Sequence, residues 1–273
     1  VKTGSPKATL ILNDGKKVLL HTNNNFELET KHTIIKDEES SGLKYEITDS
    51  FATRELDEDM EFNTLVVSRG GEYILTLSDG TKVWLNSETE LKYPVRFMGN
   101  TREVHVKGEA YFEVAKDECR PFFVQAGDVR IRVLGTSFNV TSYPERERIE
   151  TTLEQGRIQI TNGKEQINVV PGKQVVYNKK NNRFEVKVVD TKLYTSWKDG
   201  YYKFDQMTLE EIMETLALWY DLNVFYANAE VKSLEFTGRL RRYDRVEGLF
   251  KKIEQTDLVE FELNGKNVVI RKK

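Results

Sequence analysis

The chain has 273 residues, 38% of them hydrophobic and 31% charged, a composition that fits two globular domains and excludes a disordered or membrane-embedded chain. Lys and Arg total 41 against 44 for Asp and Glu, so no one-signed field exists to attract nucleic acid or an anionic membrane surface. A single cysteine, Cys119, excludes an intrachain disulfide, a multi-cysteine zinc site and an iron-sulfur cluster.

No run reaches the ~20 apolar residues needed to cross a bilayer. The opening Val1-Lys2-Thr3, with neither initiator Met nor leader, reads as a start within a longer protein. Residues 8 to 190 read as short strands, with alternating apolar and polar positions and frequent turn dipeptides. Val129, Ile131 and Val133 alternate with Arg130 and Arg132, the period of a strand with one face in a core. Asp14-Gly15, Asp79-Gly80 and Asn162-Gly163 each sit where a tight hairpin turn is expected.

The stretch Leu10 to Leu20 resembles the stretch Leu75 to Leu85, either as a duplicated unit or as two good hairpins. Between them the acidic run Arg54 to Glu61 reads as a solvated loop. After Trp197-Lys198-Asp199-Gly200 helical periodicity appears for the first time, which places a domain boundary there. Leu209, Ile212, Met213, Leu216 and Tyr220 form one stripe, and Thr208 with Glu211 is a capping box. A second helix is expected with Asp244 and Glu247 as its cap and Val246, Leu249, Phe250 and Ile253 as its stripe. Strand-like runs at 201–204, 223–226, 234–240 and 259–271, the last turning at Asn264-Gly265, complete a β-α-β-β-α-β-β order. The expected tail is thus a small sheet with both helices on one face.

The fold class is therefore a mainly β, antiparallel N-terminal region, sandwich or roll, followed by a small α+β domain. The expected division is a β-rich segment at 1–69, a hairpin repeat packed with the next domain, then a β domain at 70–197 and the α+β domain at 198–273.

Catalytic signatures are scarce. His21, His32 and His105 lack a metal-ligand spacing, and no phosphate-binding glycine loop or serine-nucleophile elbow is present. Neither a metal nor a cofactor is expected. Paired carboxylates for glycoside hydrolysis arise by chance among 44 acidic residues. Tyr201-Tyr202 and Trp219-Tyr220 fit a domain core better than a sugar platform. Gly135-Thr136 lies between two strands. It reads as a turn, or as a strained peptide whose Thr136 hydroxyl attacks the preceding carbonyl in an N-to-O acyl shift.

Leu77-Ser78-Asp79-Gly80-Thr81-Lys82-Val83-Trp84-Leu85-Asn86, Val106-Lys107-Gly108-Glu109-Ala110-Tyr111-Phe112-Glu113-Val114 and Val133-Leu134-Gly135-Thr136-Ser137-Phe138-Asn139-Val140 together resemble the FecR domain. Leu153-Glu154-Gln155-Gly156 and Val170-Pro171-Gly172-Lys173-Gln174 extend the likeness over residues 70 to 190. The tail, with Phe204, Leu209, Ile212, Trp219-Tyr220 and Phe236-Thr237-Gly238-Arg239-Leu240, is similar to the C-terminal domain of FecR-type regulators of Bacteroidetes, itself similar to the short N-terminal domain of secretins and TonB-dependent receptors.

The resemblance implies a single-pass inner-membrane anti-sigma factor, with this part on the periplasmic face. It would receive a signal from an outer-membrane TonB-dependent transporter and relay it to an extracytoplasmic-function sigma factor held by a cytoplasmic segment outside this sequence. It also implies self-cleavage at Gly135-Thr136 in some relatives, a single event and not turnover. The expected docking edge is the strand from Leu234 to Leu240. Leu234, Phe236 and Gly238 would lie along it, and Arg239, Arg241 and Arg242 would form a polar rim or a solvated face. The rival readings are a glycan-binding β module and a β-rich hydrolase.

Overall fold

The computed structural model describes residues 1–21, 26–29, 33–38, 42–47 and 60–273. His32 and residues 54–59 of the acidic run lie outside these, as does the side chain of His21. Two compact units emerge: a β-rich unit of residues 6–68 and 72–191, and a second unit of residues 192–273 joined by Val1–Ser5 and Arg69–Gly71.

The strands in chain order begin with β1 (Ser5–Ile11), β2 (Lys17–His21), β3 (Phe26–Glu29), β4 (Thr33–Glu38), β5 (Gly42–Ile47) and β6 (Phe62–Val67). There follow β7 (Gly71–Thr76), β8 (Lys82–Leu85), β9 (Thr89–Pro94), β10 (Arg102–Glu113), β11 (Phe122–Ala126) and β12 (Val129–Val133). The unit closes with β13 (Ser137–Ser142), β14 (Arg148–Gln155), β15 (Ile158–Thr161), β16 (Gln166–Val169), β17 (Lys173–Asn178) and β18 (Arg183–Val188).

The ladders trace two sheets that share β10. The first runs β2-β1-β6-β9-β10-β11-β12-β15-β16, antiparallel except for β10 with β11. The second runs β3-β4-β5-β7-β8-β10-β13-β14-β17-β18, antiparallel except for β5 with β7. Alternation places Leu10, Leu65, Leu91 and Ile131 of one sheet and Leu75, Val83, Phe138 and Leu153 of the other in one core. Phe112 stacks on Phe138 at 5.2 Å inside it.

Residue 108 shows how one strand serves both sheets. His105 to Lys107 pair with β9, and Gly108 to Glu113 pair with β13. Gly108 has a φ of 101°, and a Cβ there would meet the Thr89 hydroxyl at 2.5 Å and the Glu88 carbonyl at 2.6 Å. Only glycine fits that corner.

The chain also changes sheet between β12 and β13, between β14 and β15, and between β16 and β17. Those corners hold Gly135-Thr136, Gly156 and Val170-Pro171-Gly172, so several of the motif glycines mark where the chain leaves one layer for the other. The two similar hairpins share one turn: Gly15 and Gly80 each donate to a leucine carbonyl three residues back at 2.9 Å. Asp14 and Asp79 each accept the amide two residues on at 2.9 Å.

In the second unit, β19 (Tyr201–Thr208), β20 (Asn223–Tyr226), β21 (Glu235–Arg241), β22 (Val259–Asn264) and β23 (Asn267–Lys272) accompany α1 (Lys192–Thr195), α2 (Leu209–Tyr220) and α3 (Val246–Glu254). From β19 onward this is the β-α-β-β-α-β-β order read from the sequence. The strands form two sheets and not the single one expected: β19 with β21, and β20-β23-β22.

The capping box at α2 is present, with the Glu211 amide donating to Thr208 Oγ1 and the Thr208 amide to Glu211 Oε2. The expected cap of α3 is not. Arg245 occupies its N-cap without a side-chain hydrogen bond, and Glu247 instead accepts from the Val1 amine at 2.8 Å.

Candidate functional site

The strand expected to dock a partner begins one residue later than read, at Glu235, because Leu234 closes a short 3-10 turn over Ala229–Ser233. β21 pairs with β19 on one side, and among the described residues no strand pairs with its other side. Along it Gly238, Arg239 and Arg241 are exposed, Leu234 and Phe236 half-buried, and Leu240 buried. A Cβ built on Gly238 would meet nothing within 4 Å, so the face of the strand is uncrowded there. The Arg239 guanidinium lies 3.7 Å from the Tyr201 ring centroid, which holds its charge beside the open edge.

Arg242 departs from the expected rim. It is fully buried, stacked 3.7 Å over Trp219 and near Tyr202 and Trp197, with Nη1 donating to the Trp197 carbonyl at 2.9 Å. Alternation carries Arg242 inward: Leu240 is buried, Arg241 exposed and Arg242 buried, the Arg242 amide still donates to the Gly200 carbonyl at 3.0 Å, and there a wide planar cation finds an aromatic box. Trp219 and Tyr220 complete that box from α2, both donating to the Arg242 carbonyl. These aromatic residues are core, as their places in a strand and a helix imply.

Distant segments brace the same helix. Asp221 ends α2 in the left-handed region, with a φ of 52°. Arg69 donates to the Asp221 carboxylate at 3.2 Å and to the carbonyls of Ala217 and Leu222 at 3.0 Å. The Gly70 amide donates to the Leu218 carbonyl at 2.8 Å. A cation at the C-terminal end of a helix satisfies its free carbonyls and its dipole. Lys266 first, with Arg69, holds the Asp221 carboxyl below the usual carboxylate range. The local sequence Ser68-Arg69-Gly70-Gly71 carries no sign of this role.

Gly135-Thr136 forms a sheet-changing corner packed against a second one. The Thr136 hydroxyl donates to the Arg157 carbonyl at 3.1 Å and Thr136 is buried. At Gly156, whose φ is 95°, a Cβ would strike the Thr136 hydroxyl at 2.7 Å and the Gly135 carbonyl at 2.9 Å. Neither Gly135 nor Thr136 has a positive φ, and there is no cis peptide among the described residues. The hydroxyl thus ties this corner to the next one. Intact-mass measurement of the wild type and Thr136→Ala is therefore expected to give one uncut species each; a wild type that appears as two fragments, abolished by the substitution, would restore the acyl shift.

Among the described residues no group of three or more His, Cys, Asp and Glu is placed to hold a metal. Carboxylates on the outer side of the second sheet are engaged: Glu109 accepts from Asn86 at 2.7 Å and Asn139 at 3.0 Å, and Glu154 from Tyr111 at 2.5 Å. Burial raises the Glu150 carboxyl, and Glu109 beside it adds to the effect. Among the described residues the exposed aromatic rings are scattered, Phe225 on β20 and Tyr243 beside Trp219, and form no row that a sugar would stack on. No described helix is long and apolar enough to cross a membrane.

Comparison with known proteins agrees with this layout. Residues 63–159 match the model of the FecR protein family, and residues 201–270 match that of the FecR C-terminal domain. Two crystal structures of a protein provisionally named an anti-sigma factor, from Parabacteroides distasonis ATCC 8503, each superpose with a TM-score of 0.70 at 26% identity. They cover 77% and 78% of this chain and 99% of their own. No curated protein matches. With both domain models matched in the expected order and an anti-sigma factor among its structural relatives, the chain belongs to the FecR family, regulators of the anti-sigma type and not enzymes.

Proposed function

We propose that this chain is the periplasmic, signal-receiving part of a membrane-anchored anti-sigma factor, and that its second unit docks the signalling domain of an outer-membrane TonB-dependent transporter. The observation that carries this reading is the open side of β21 on a unit with its own core. An unpaired strand offers amides and carbonyls that a partner's strand completes, while flanking side chains select the partner. Leu234 and Phe236 provide the apolar contacts, Gly238 the close approach, and Arg239 and Arg241 the charged rim. The β-rich unit, through which the chain passes into the second unit at residues 5/6, 68/69, 71/72 and 191/192, relays the docked state toward the membrane and the sigma factor. A partner shifts this equilibrium only by binding one state of the module more tightly than the other.

Titration of the chain with signalling domains of TonB-dependent transporters tests the reading. The double substitution Arg239→Glu and Arg241→Glu is expected to weaken binding about tenfold or more without changing the melting temperature, because both side chains are exposed. Unaltered affinity for a domain that binds the wild type would place the contact elsewhere.

A further inference from the structure

The last strand of the β-rich unit is an edge that lacks the usual protection. β18 pairs with β17 in unbroken register from Lys173↔Val188 to Asn178↔Arg183, and among the described residues with no other strand. It carries no proline and no bulge. Its core-side positions are Phe184, Val186 and Val188. Phe184 packs on Tyr177 at 5.2 Å, but Val186 is 43% and Val188 84% exposed. Edge strands are ordinarily blunted by an inward charge, a bulge or a proline; here the inward row is apolar and uncovered.

The opposite side chains are Glu185 and Lys187, both exposed and of opposite sign, 3.4 Å apart. That sequence is its own complement. In an antiparallel pair of two β18 strands centred on Val186, each Glu185 lies across from the other copy's Lys187. Each Phe184 lies across from the other's Val188, and the two Val186 side chains face each other. A pairing centred one residue earlier sets Glu185 against itself, and like charges directly opposite oppose pairing. The period of two fixes which residues meet, and a two-fold axis makes the interface isologous.

We infer that two copies of this chain associate through β18, joining their second sheets into one continuous sheet across a two-fold axis at Val186. The contact is separate from the β21 edge and stands whether or not that edge docks a partner.

Charge swapping by sedimentation equilibrium tests both association and register. Glu185→Lys or Lys187→Glu alone is expected to weaken the dimer about tenfold, since each change sets two like-charged pairs across the axis, and the double swap is expected to restore it. Far-UV circular dichroism monitors folding of all three, whose changed side chains are exposed. A second arm uses Val186→Cys in a Cys119→Ser background. Directly opposed residues in a strand pair have Cα atoms about 4.5–5.5 Å apart, within disulfide reach, so oxidation is expected to give covalent dimer. Val188→Cys in the same background is expected to stay uncrosslinked. A monomeric wild type at about 0.1 mM overturns the inference; so does a double swap that remains as weak as the singles, or crosslinking at 188 in place of 186.

Discussion

Asp79→Ala is expected to lower the stability of the β-rich unit by about 3–5 kcal/mol, the usual effect of stripping one partner from a buried ion pair. Arg102 is fully buried, with Nη1 2.7 Å from Asp79 Oδ2 and 2.9 Å from the Ala115 carbonyl, and Nε 2.9 Å from the Arg120 carbonyl. Its guanidinium also faces the Phe122 ring at 5.3 Å. Asp79 in turn accepts the Thr81 amide at 2.9 Å and the Thr81 hydroxyl at 2.7 Å, and that hydroxyl receives the Ala115 amide. Removing the carboxylate therefore leaves a cation without its counter-charge in a low-dielectric site and unties the hairpin turn at once. Asp79→Ala combined with Arg102→Met is expected to be less destabilised than Asp79→Ala alone, because the uncompensated charge is gone. Denaturant titration measures both. A loss below about 1 kcal/mol for the single substitution would mean that water reaches Arg102.

Trp219→Ala is expected to have the largest effect on the second unit, about 3–5 kcal/mol from the void alone. Trp219 is fully buried, donates its indole N–H to the Arg242 carbonyl at 2.5 Å and receives the Arg242 guanidinium on its face. Gly4 lies so close that a Cβ there would meet the ring at 2.5 Å. A unit of roughly 90 residues has a stability of about 5–13 kcal/mol, so the substitution removes much of it, along with any docking that needs a folded β21. Arg241→Ala, one residue from the buried arginine, is expected to stay within about 0.5 kcal/mol of wild type. Thermal unfolding of the two variants should separate them by more than 10 °C on the scale of about 4–8 °C per kcal/mol. Similar melting temperatures would deny Trp219 its place in the core.

What the sequence made legible was local. Period-two alternation at Val129, Ile131 and Val133, the turns at Asp14-Gly15 and Asp79-Gly80, and the Thr208/Glu211 box each involve neighbours a few residues apart, and each is found in the structure. The failures are non-local or lie at element ends. Arg242 looks like the third of three surface arginines, yet it shares the inward face of Leu240 two residues before it, and its charge type hid what the period of two implied. Asp244 and Glu247 fit a capping pattern, yet the helix begins at Val246 with Arg245 as its cap. The pair Asp79 and Arg102 spans 23 residues, and nothing in alternation says which strand a hairpin turn will meet. Gly108, Gly135 and Gly156 were visible as parts of motifs. Their reason, a chain that changes sheet, needed the strand order.

Among the elements of the candidate site, the open edge was half legible. A strand at 234–240 carrying Gly238 and Arg239 could be read; that only β19 pairs with it among the described residues could not.

Hydrogen exchange of the amides of residues 235–241, with and without a bound transporter signalling domain, addresses docking by strand addition most directly. Completing the sheet would turn free or water-bonded amides into ladder amides. Slowed exchange is expected at β21, strongest at the amides of Arg239 and Arg241, which face away from β19, with β22 and β23 unchanged. Binding that leaves 235–241 exchanging as in the free chain, and instead protects β20, β22 or the β-rich unit, would contradict docking at this edge.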